Sequence, residues 1–232
     1  MDVPTRAPDP QLPDPERAPR RLAIAEAGIG LSLIVALLSL FLFGWIAEEV
    51  RHGETASFDL AVRSWIHQFA SPAMTRAMTV ISMLGYKILI AELLGAIIVF
   101  LCLRWRRAAG WLAITMAGAL ALELALKYAF HRPRPQVFFG AEPHSYSFPS
   151  GHALSSFCFY VVMAGLIAAR VRSLALRIAA GVLAAVLVIA IGISRVYLGM
   201  HYPSDVLGGY LAAAVWVNAM LVLDRWRMNR SF

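Results

Sequence analysis

The sequence predicts an all-α polytopic membrane protein: six transmembrane helices in a bundle, plus a short amphipathic interfacial helix in the first outer loop. Three observations carry this reading. Hydrophobic residues make up 59% of the 232 positions and charged residues only 15%, against about 45–50% and 25% in a soluble domain. The mean hydropathy of +0.66 is more apolar surface than one small core could bury. Six long runs are nearly free of charge, each close to the roughly 20 residues that cross a hydrocarbon slab of about 30 Å. This composition excludes a disordered chain, a secreted disulfide scaffold and an ordinary cytosolic enzyme. The two cysteines, Cys102 and Cys158, lie in separate apolar runs and read as small core residues.

Residues 1–21 hold six of the twelve prolines among Asp, Glu and Arg. They are expected to form a disordered cytoplasmic tail, and the long apolar run that follows is unlike a cleavable signal peptide. The membrane domain is expected over 22–232, with spans near Ala27–Ile46, Leu84–Leu103, Ala108–Phe130, Ala153–Ala169, Leu174–Ile193 and Val206–Leu223. With the N-terminus inside, thirteen of the 21 Lys and Arg residues fall on cytoplasmic segments. The positive-inside rule therefore places both termini in the cytoplasm. The net charge of +7 then records orientation and attraction to anionic lipid, not nucleic-acid binding.

Between the first two spans, Phe58, Val62, Trp65, Ile66 and Phe69 recur at helical spacing while Asp59, Arg63 and His67 fall away from them. That pattern fits an amphipathic helix lying in the outer interface, or equally a small helix packed on the bundle.

Polar groups in such a chain need a reason, because each is costly near lipid. They gather in three segments: Lys127–Pro135, Ser147–His152 and Ser194–Asp205. The six-span topology puts all three at one membrane face. Lys127, Arg134 and Arg195 would form a positive hole for a tetrahedral oxyanion. Pro149-Ser150-Gly151-His152 reads as a helix start, whose free N–H groups bind phosphate and where Gly151 allows close approach. Asp205 lies four residues beyond His201, placed to hold one ring nitrogen and leave the other nucleophilic. His152 is then available to protonate a leaving oxygen. Glu123 stands one helical turn before Lys127 and could pair with it, whereas Glu92 has no evident partner. His131 and Arg132 read as interfacial or phosphate-steering residues.

Lys127-x6-Arg134-Pro135, Pro149-Ser150-Gly151-His152 and Ser194-Arg195-x5-His201-x3-Asp205 together resemble the three signatures of the type 2 phosphatidic acid phosphatase family, intact and in order. The resemblance implies a bacterial integral-membrane lipid phosphatase. His201 would be the nucleophile that becomes phosphohistidine, Asp205 its orienter, and His152 the general acid and then base. Lys127, Arg134, Arg195, Ser150 and the Gly151 N–H would hold the phosphoryl oxygens. No metal and no cofactor is implied. The substrate would be a membrane lipid phosphate, of the undecaprenyl diphosphate, phosphatidic acid or phosphatidylglycerol phosphate type. It would enter from the outer leaflet of the inner membrane. A lipid phosphotransferase on the same frame, or a non-catalytic lipid-binding or transport protein, is the alternative.

Overall fold

The structure is a computed structural model and describes residues 17–140 and 144–229. Among the described residues it is helical throughout, with six stretches long and apolar enough to cross a membrane. The first, α1 (Arg17–His52), begins inside the segment expected to be a tail. Pro19 falls in its first turn, where a missing N–H costs nothing, so residues 17–21 belong to the helix. Residues 1–16 lie outside the described residues. α1 packs along α8 (Pro203–Asn229), and its other faces present Leu31, Ile34, Leu37 and Phe41 outward, as a lipid-facing helix must.

The second crossing differs from expectation. It is not one helix from Leu84 but two, α3 (Pro72–Met83) and α4 (Lys87–Cys102), broken at Leu84-Gly85-Tyr86. α3 starts cleanly: the Ser71 hydroxyl accepts the Met74 N–H at 3.2 Å and Pro72 opens the first turn. Packing is close at the break. A Cβ at position 85 would stand 2.6 Å from Ile191 Cγ2 and 3.1 Å from His152 Cδ2, so only glycine lets the chain pass there.

Helices α5 (Arg106–Phe130), α6 (Gly151–Ala168), α7 (Leu174–Tyr197) and α8 fall within a few residues of their expected spans. The Ser173 hydroxyl caps α7 by accepting the Leu176 N–H. α5 ends at His131, which adopts a left-handed conformation (φ 47°) and donates its N–H to the Lys127 carbonyl. The main core lies between α4, α5, α6, α7 and α8 around Leu112, Ala119, Leu154, Cys158, Ile191 and Ala213. Small residues permit the approach: a Cβ on Gly118 would meet the Trp216 ring at 2.0 Å, and Trp216 Nε1–H donates to the Thr115 carbonyl. Glu92 on α4 does have a partner, since the Tyr160 hydroxyl lies 2.8 Å from its carboxylate.

The amphipathic segment forms α2 (Ala56–His67), packed against α7 and α8. Its orientation reverses the soluble rule. Asp59 and Arg63 are buried, while Phe58, Leu60, Trp65 and Phe69 are exposed. The charged residues face the protein, Ile66 packs beside them on Ala153, Val196 and Val206, and Phe58 and Trp65 face outward.

Candidate active site

All three polar segments converge at one end of the bundle. α8 opens there with Pro203, and the Ser150 N–H donates to the Asp205 carbonyl at 2.9 Å, tying the start of α6 to the start of α8. A Cβ on Gly209 would stand 2.7 Å from the Ser150 carbonyl oxygen, so the two helix ends meet backbone to backbone.

His201 and Asp205 are almost wholly buried. Their Nδ1 and Oδ2 atoms lie 3.4 Å apart. His201 Nε2 lies 3.2 Å from Arg134 Nη1. A guanidinium can only donate, so Nε2 carries the lone pair and Nδ1 carries the proton facing Asp205. Burial pushes the His201 pKa from the usual 6.5 down to about 4, helped by the positive charges of Arg134 and Arg195 and opposed by Asp205. The ring is therefore neutral at physiological pH.

Asp205 is held on both oxygens. Oδ1 accepts from Arg132 Nη1 at 2.7 Å, while Oδ2 accepts from the Tyr202 N–H at 2.8 Å and from the Ser147 hydroxyl. Arg132 reaches in turn to Asp59 Oδ2 at 2.8 Å. The sequence alone does not place Ser147, Arg132 and Asp59 around Asp205. Ser147 flanks the second signature and is within reach of pattern reading, whereas the Asp59 contact spans 73 residues and leaves no local signal.

α6 supplies the opposite wall. Its first intrahelical bond runs from the Leu154 N–H to the Ser150 carbonyl, so the N–H groups of Gly151, His152 and Ala153 have no partner within the helix. Ser150 sits at the N-cap, yet its hydroxyl makes no capping bond. Ser150 Oγ and Arg195 Nε are buried without a hydrogen-bond partner in the protein. Arg195 is fixed from behind, where Nη1 donates to Ser82 Oγ at 2.7 Å. His152 stacks on Tyr86 with ring centroids 5.5 Å apart and lies against Gly85, so the α3–α4 break seats this imidazole.

Lys127 is buried on the last turn of α5 and donates to Glu123 Oε1 at 2.7 Å, the pairing expected from their spacing. Glu123 also explains part of the need for glycine at 151: a Cβ there would stand 1.9 Å from Glu123 Oε1. Arg134 is more committed than expected. It donates to the carbonyls of Ser145, Met200 and Tyr146 and to the Ser145 hydroxyl, besides facing His201. It thus braces the loop before α6 as well as lining the site.

Three further residues of the third signature, for which the sequence suggests no role, acquire one. Tyr197 bonds through its hydroxyl to Thr75 and Ser71 at the start of α3. Gly199 adopts φ +75°, and a Cβ there would stand 2.5 Å from the Phe138 nitrogen. Tyr202 carries the N–H that holds Asp205 and lies under Arg132, 4.2 Å from the guanidinium carbon to the ring centroid. Among the described residues, no three His, Cys, Asp or Glu side chains group as a metal site.

Known proteins resemble this chain in sequence and in fold. Residues 108–229, more than half of the chain, match the PAP2 superfamily. The chain is 32% identical over 179 residues to phosphatidylglycerophosphatase B of Bacillus subtilis, covering 75% of this chain and 87% of that one. It is 33% identical over 125 residues to an undecaprenyl-diphosphatase of Sulfolobus acidocaldarius, covering 51% of this chain and 56% of the relative. The crystal structure of the PAP2-type phosphatidylglycerolphosphate phosphatase from B. subtilis superposes with a TM-score of 0.76 at 25% identity, over 82% of this chain and 95% of that one. The structure of Aquifex aeolicus LpxE shares the fold, with a TM-score of 0.54 at 23% identity over 71% of this chain and 94% of that one. From its three signatures, its multi-pass helical frame and these likenesses, the chain belongs to the PAP2 superfamily.

Proposed function

We propose that this lipid phosphate hydrolase cleaves a phosphate monoester or diphosphate headgroup through a phosphohistidine on His201. Nε2 of the neutral imidazole would attack phosphorus while Asp205 orients Nδ1–H and stabilises the charge that develops on the ring. His152 would protonate the departing lipid oxygen. It would then take a proton from the water that attacks phosphohistidine, releasing inorganic phosphate and regenerating His201. Lys127, Arg134, Arg195, Ser150 and the N–H groups at the start of α6 would hold the equatorial oxygens, where charge gathers in the transition state.

The observation that carries this reading is that Ser150 Oγ and Arg195 Nε are buried without protein partners, at the end of the bundle where the Gly151, His152 and Ala153 N–H groups have no partner within α6. Buried donors cost free energy unless an acceptor meets them, and a phosphoryl group supplies three. The likeness to phosphatidylglycerophosphatase B and to an undecaprenyl-diphosphatase supports phosphatidylglycerol phosphate or undecaprenyl diphosphate as the substrate, with phosphatidic acid as a third candidate from the sequence signatures. The excess of arginine on the opposite segments supports both termini in the cytoplasm and a site facing the exterior, and the likeness to a Bacillus subtilis enzyme supports a bacterial cytoplasmic membrane.

The test is phosphate release by purified protein from those three lipids with EDTA present. Turnover of at least one of them, abolished by vanadate and by His201→Gln, is expected. Loss of activity under EDTA would overturn the metal-free mechanism, and transfer of phosphate to a second lipid instead of water would make the chain a phosphotransferase. For orientation, a cysteine at His144 should react with an impermeant thiol reagent added outside, and one at Arg172 should not. The reverse pattern would invert the topology.

A further inference from the structure

A buried chain of alternating charge runs from α2 to the catalytic pair. Asp59 Oδ1 accepts the Ser204 N–H at 2.9 Å, and Oδ2 accepts the Ser204 hydroxyl at 2.7 Å and Arg132 Nη2 at 2.8 Å. Arg132 Nη1 donates to Ser204 Oγ at 2.8 Å and to Asp205 Oδ1 at 2.7 Å, and Nη2 also reaches Thr55 Oγ1 at 3.1 Å. Asp59 and Asp205 are 1% and 0% exposed. A carboxylate so buried is tolerated only when paired, and one guanidinium serves both. Its two terminal nitrogens divide the task, one to each acid, a geometry only the planar fork of arginine supplies.

This chain bears on His201 because Asp205 is not locked by the imidazole itself. The Nδ1···Oδ2 separation of 3.4 Å is beyond an ordinary N–H···O bond, so the rotation of the carboxylate decides how well it meets the ring. Oδ1 is pinned by Arg132, and Arg132 is pinned by Asp59. The ring of Tyr202, whose N–H holds Oδ2, also lies beneath Arg132. We propose that Arg132, clamped between Asp59 of α2 and Asp205 of α8, is a positioning residue that sets the Asp205 carboxylate under His201, and that the buried charged face of α2 is thereby part of the catalytic apparatus. The proposal rests on His201 being the nucleophile. α2 then has two tasks on two sides: Phe58, Leu60 and Trp65 lie exposed on the outer side, and the inner side aims an acid it does not touch.

The experiment uses the full-length protein in detergent micelles containing a short-chain phosphatidic acid, with steady-state and single-turnover kinetics for Asp59→Asn, Arg132→Lys, Ser204→Ala, Leu60→Ser and His201→Gln. Asp59→Asn and Arg132→Lys should each lower kcat ten- to hundredfold and slow the single-turnover burst equally, with KM within about threefold of the parent. Arg132→Lys keeps the charge but has one nitrogen for two acids, so it should fail to rescue. Combining the two substitutions should cost little more than either alone, as for groups acting as one unit. Leu60→Ser on the outward face should leave kcat unchanged. If Asp59→Asn does not fold, Ser204→Ala, which removes a single hydroxyl from the clamp, should lower kcat three- to tenfold with KM unchanged. A merely structural role would lower folded yield or thermal midpoint while kcat per folded molecule held, and that result, or full kcat in Arg132→Lys, overturns the proposal. His201→Gln separates the levels: if it retains activity the nucleophile is wrong, whereas if it is inactive and Asp59→Asn is fully active only the role of α2 falls.

Discussion

Gly151→Ala is the most informative single-methyl change at the site. The added Cβ would stand 1.9 Å from Glu123 Oε1, 2.3 Å from Cδ and 2.6 Å from Oε2, so it meets the whole carboxylate and not one edge. Glu123 can retreat only by giving up Lys127, which it accepts at 2.7 Å. Overpacking of this kind costs about 1–3 kcal/mol, and a charge-assisted hydrogen bond lost at a buried site about 1.5–3 kcal/mol. If Lys127 is mis-set by about 2–3 kcal/mol in the transition state, kcat/KM falls by roughly 30- to 160-fold. The assay is a double-mutant cycle on phosphate release, because the cause is a clash between two named residues. Glu123→Ala alone should cost about as much, since it removes the same brace from Lys127. In that background Gly151→Ala should cost no more than about threefold. An undiminished loss in the Glu123→Ala background would refute the reasoning, because the space at 151 would then be required by the substrate and not by Glu123.

Two further outcomes follow from the same packing and electrostatics. His201 holds its pKa near 4 in the folded protein against 6.5 in the unfolded chain, so between those values the unfolded state binds more protons and stability rises with pH. On acidification from pH 7 to 5 the parent should therefore lose about 2 kcal/mol more than His201→Gln, read as thermal unfolding in detergent; equal pH sensitivity would show that the ring is not buried neutral. Gly118→Ala drives a Cβ to 2.0 Å from the Trp216 ring and should destabilise the fold by about 2 kcal/mol while leaving kcat per folded molecule intact; an unchanged thermal midpoint would mean that α5 and α8 are not packed this closely.

Much of the frame is legible in the amino-acid sequence, and for a definite reason. Lipid tolerates no unpaired backbone, so long apolar runs admit only helices, and five of the six spans lie within a few residues of their expected places. The site motifs are legible because each places its chemistry locally, at a helix end. The need for glycine at position 85 in the second crossing is not, since it arises from Ile191 and His152, residues remote in sequence. The inward face of α2 is hidden for a different reason. Periodicity reveals two stripes but not which one the protein buries, and beside a bilayer the apolar stripe can be the outer one. Arg132 follows from the same gap: with Asp59 taken as facing out, nothing pairs with it, and it reads as an interfacial cation. The Glu123–Lys127 pair is legible because four residues of helix fix the separation without help from the rest of the chain.

The most direct measurement is the trapping of the covalent intermediate. Protein is mixed with a lipid phosphate carrying 32P and quenched in alkali, where phosphohistidine survives, and the labelled peptide is mapped by mass spectrometry. Label on residue 201, absent in His201→Gln and accumulating when His152→Ala slows hydrolysis more than formation, is the expected result. Label on His152, or a parent enzyme that turns over while no histidine is ever labelled, would contradict it.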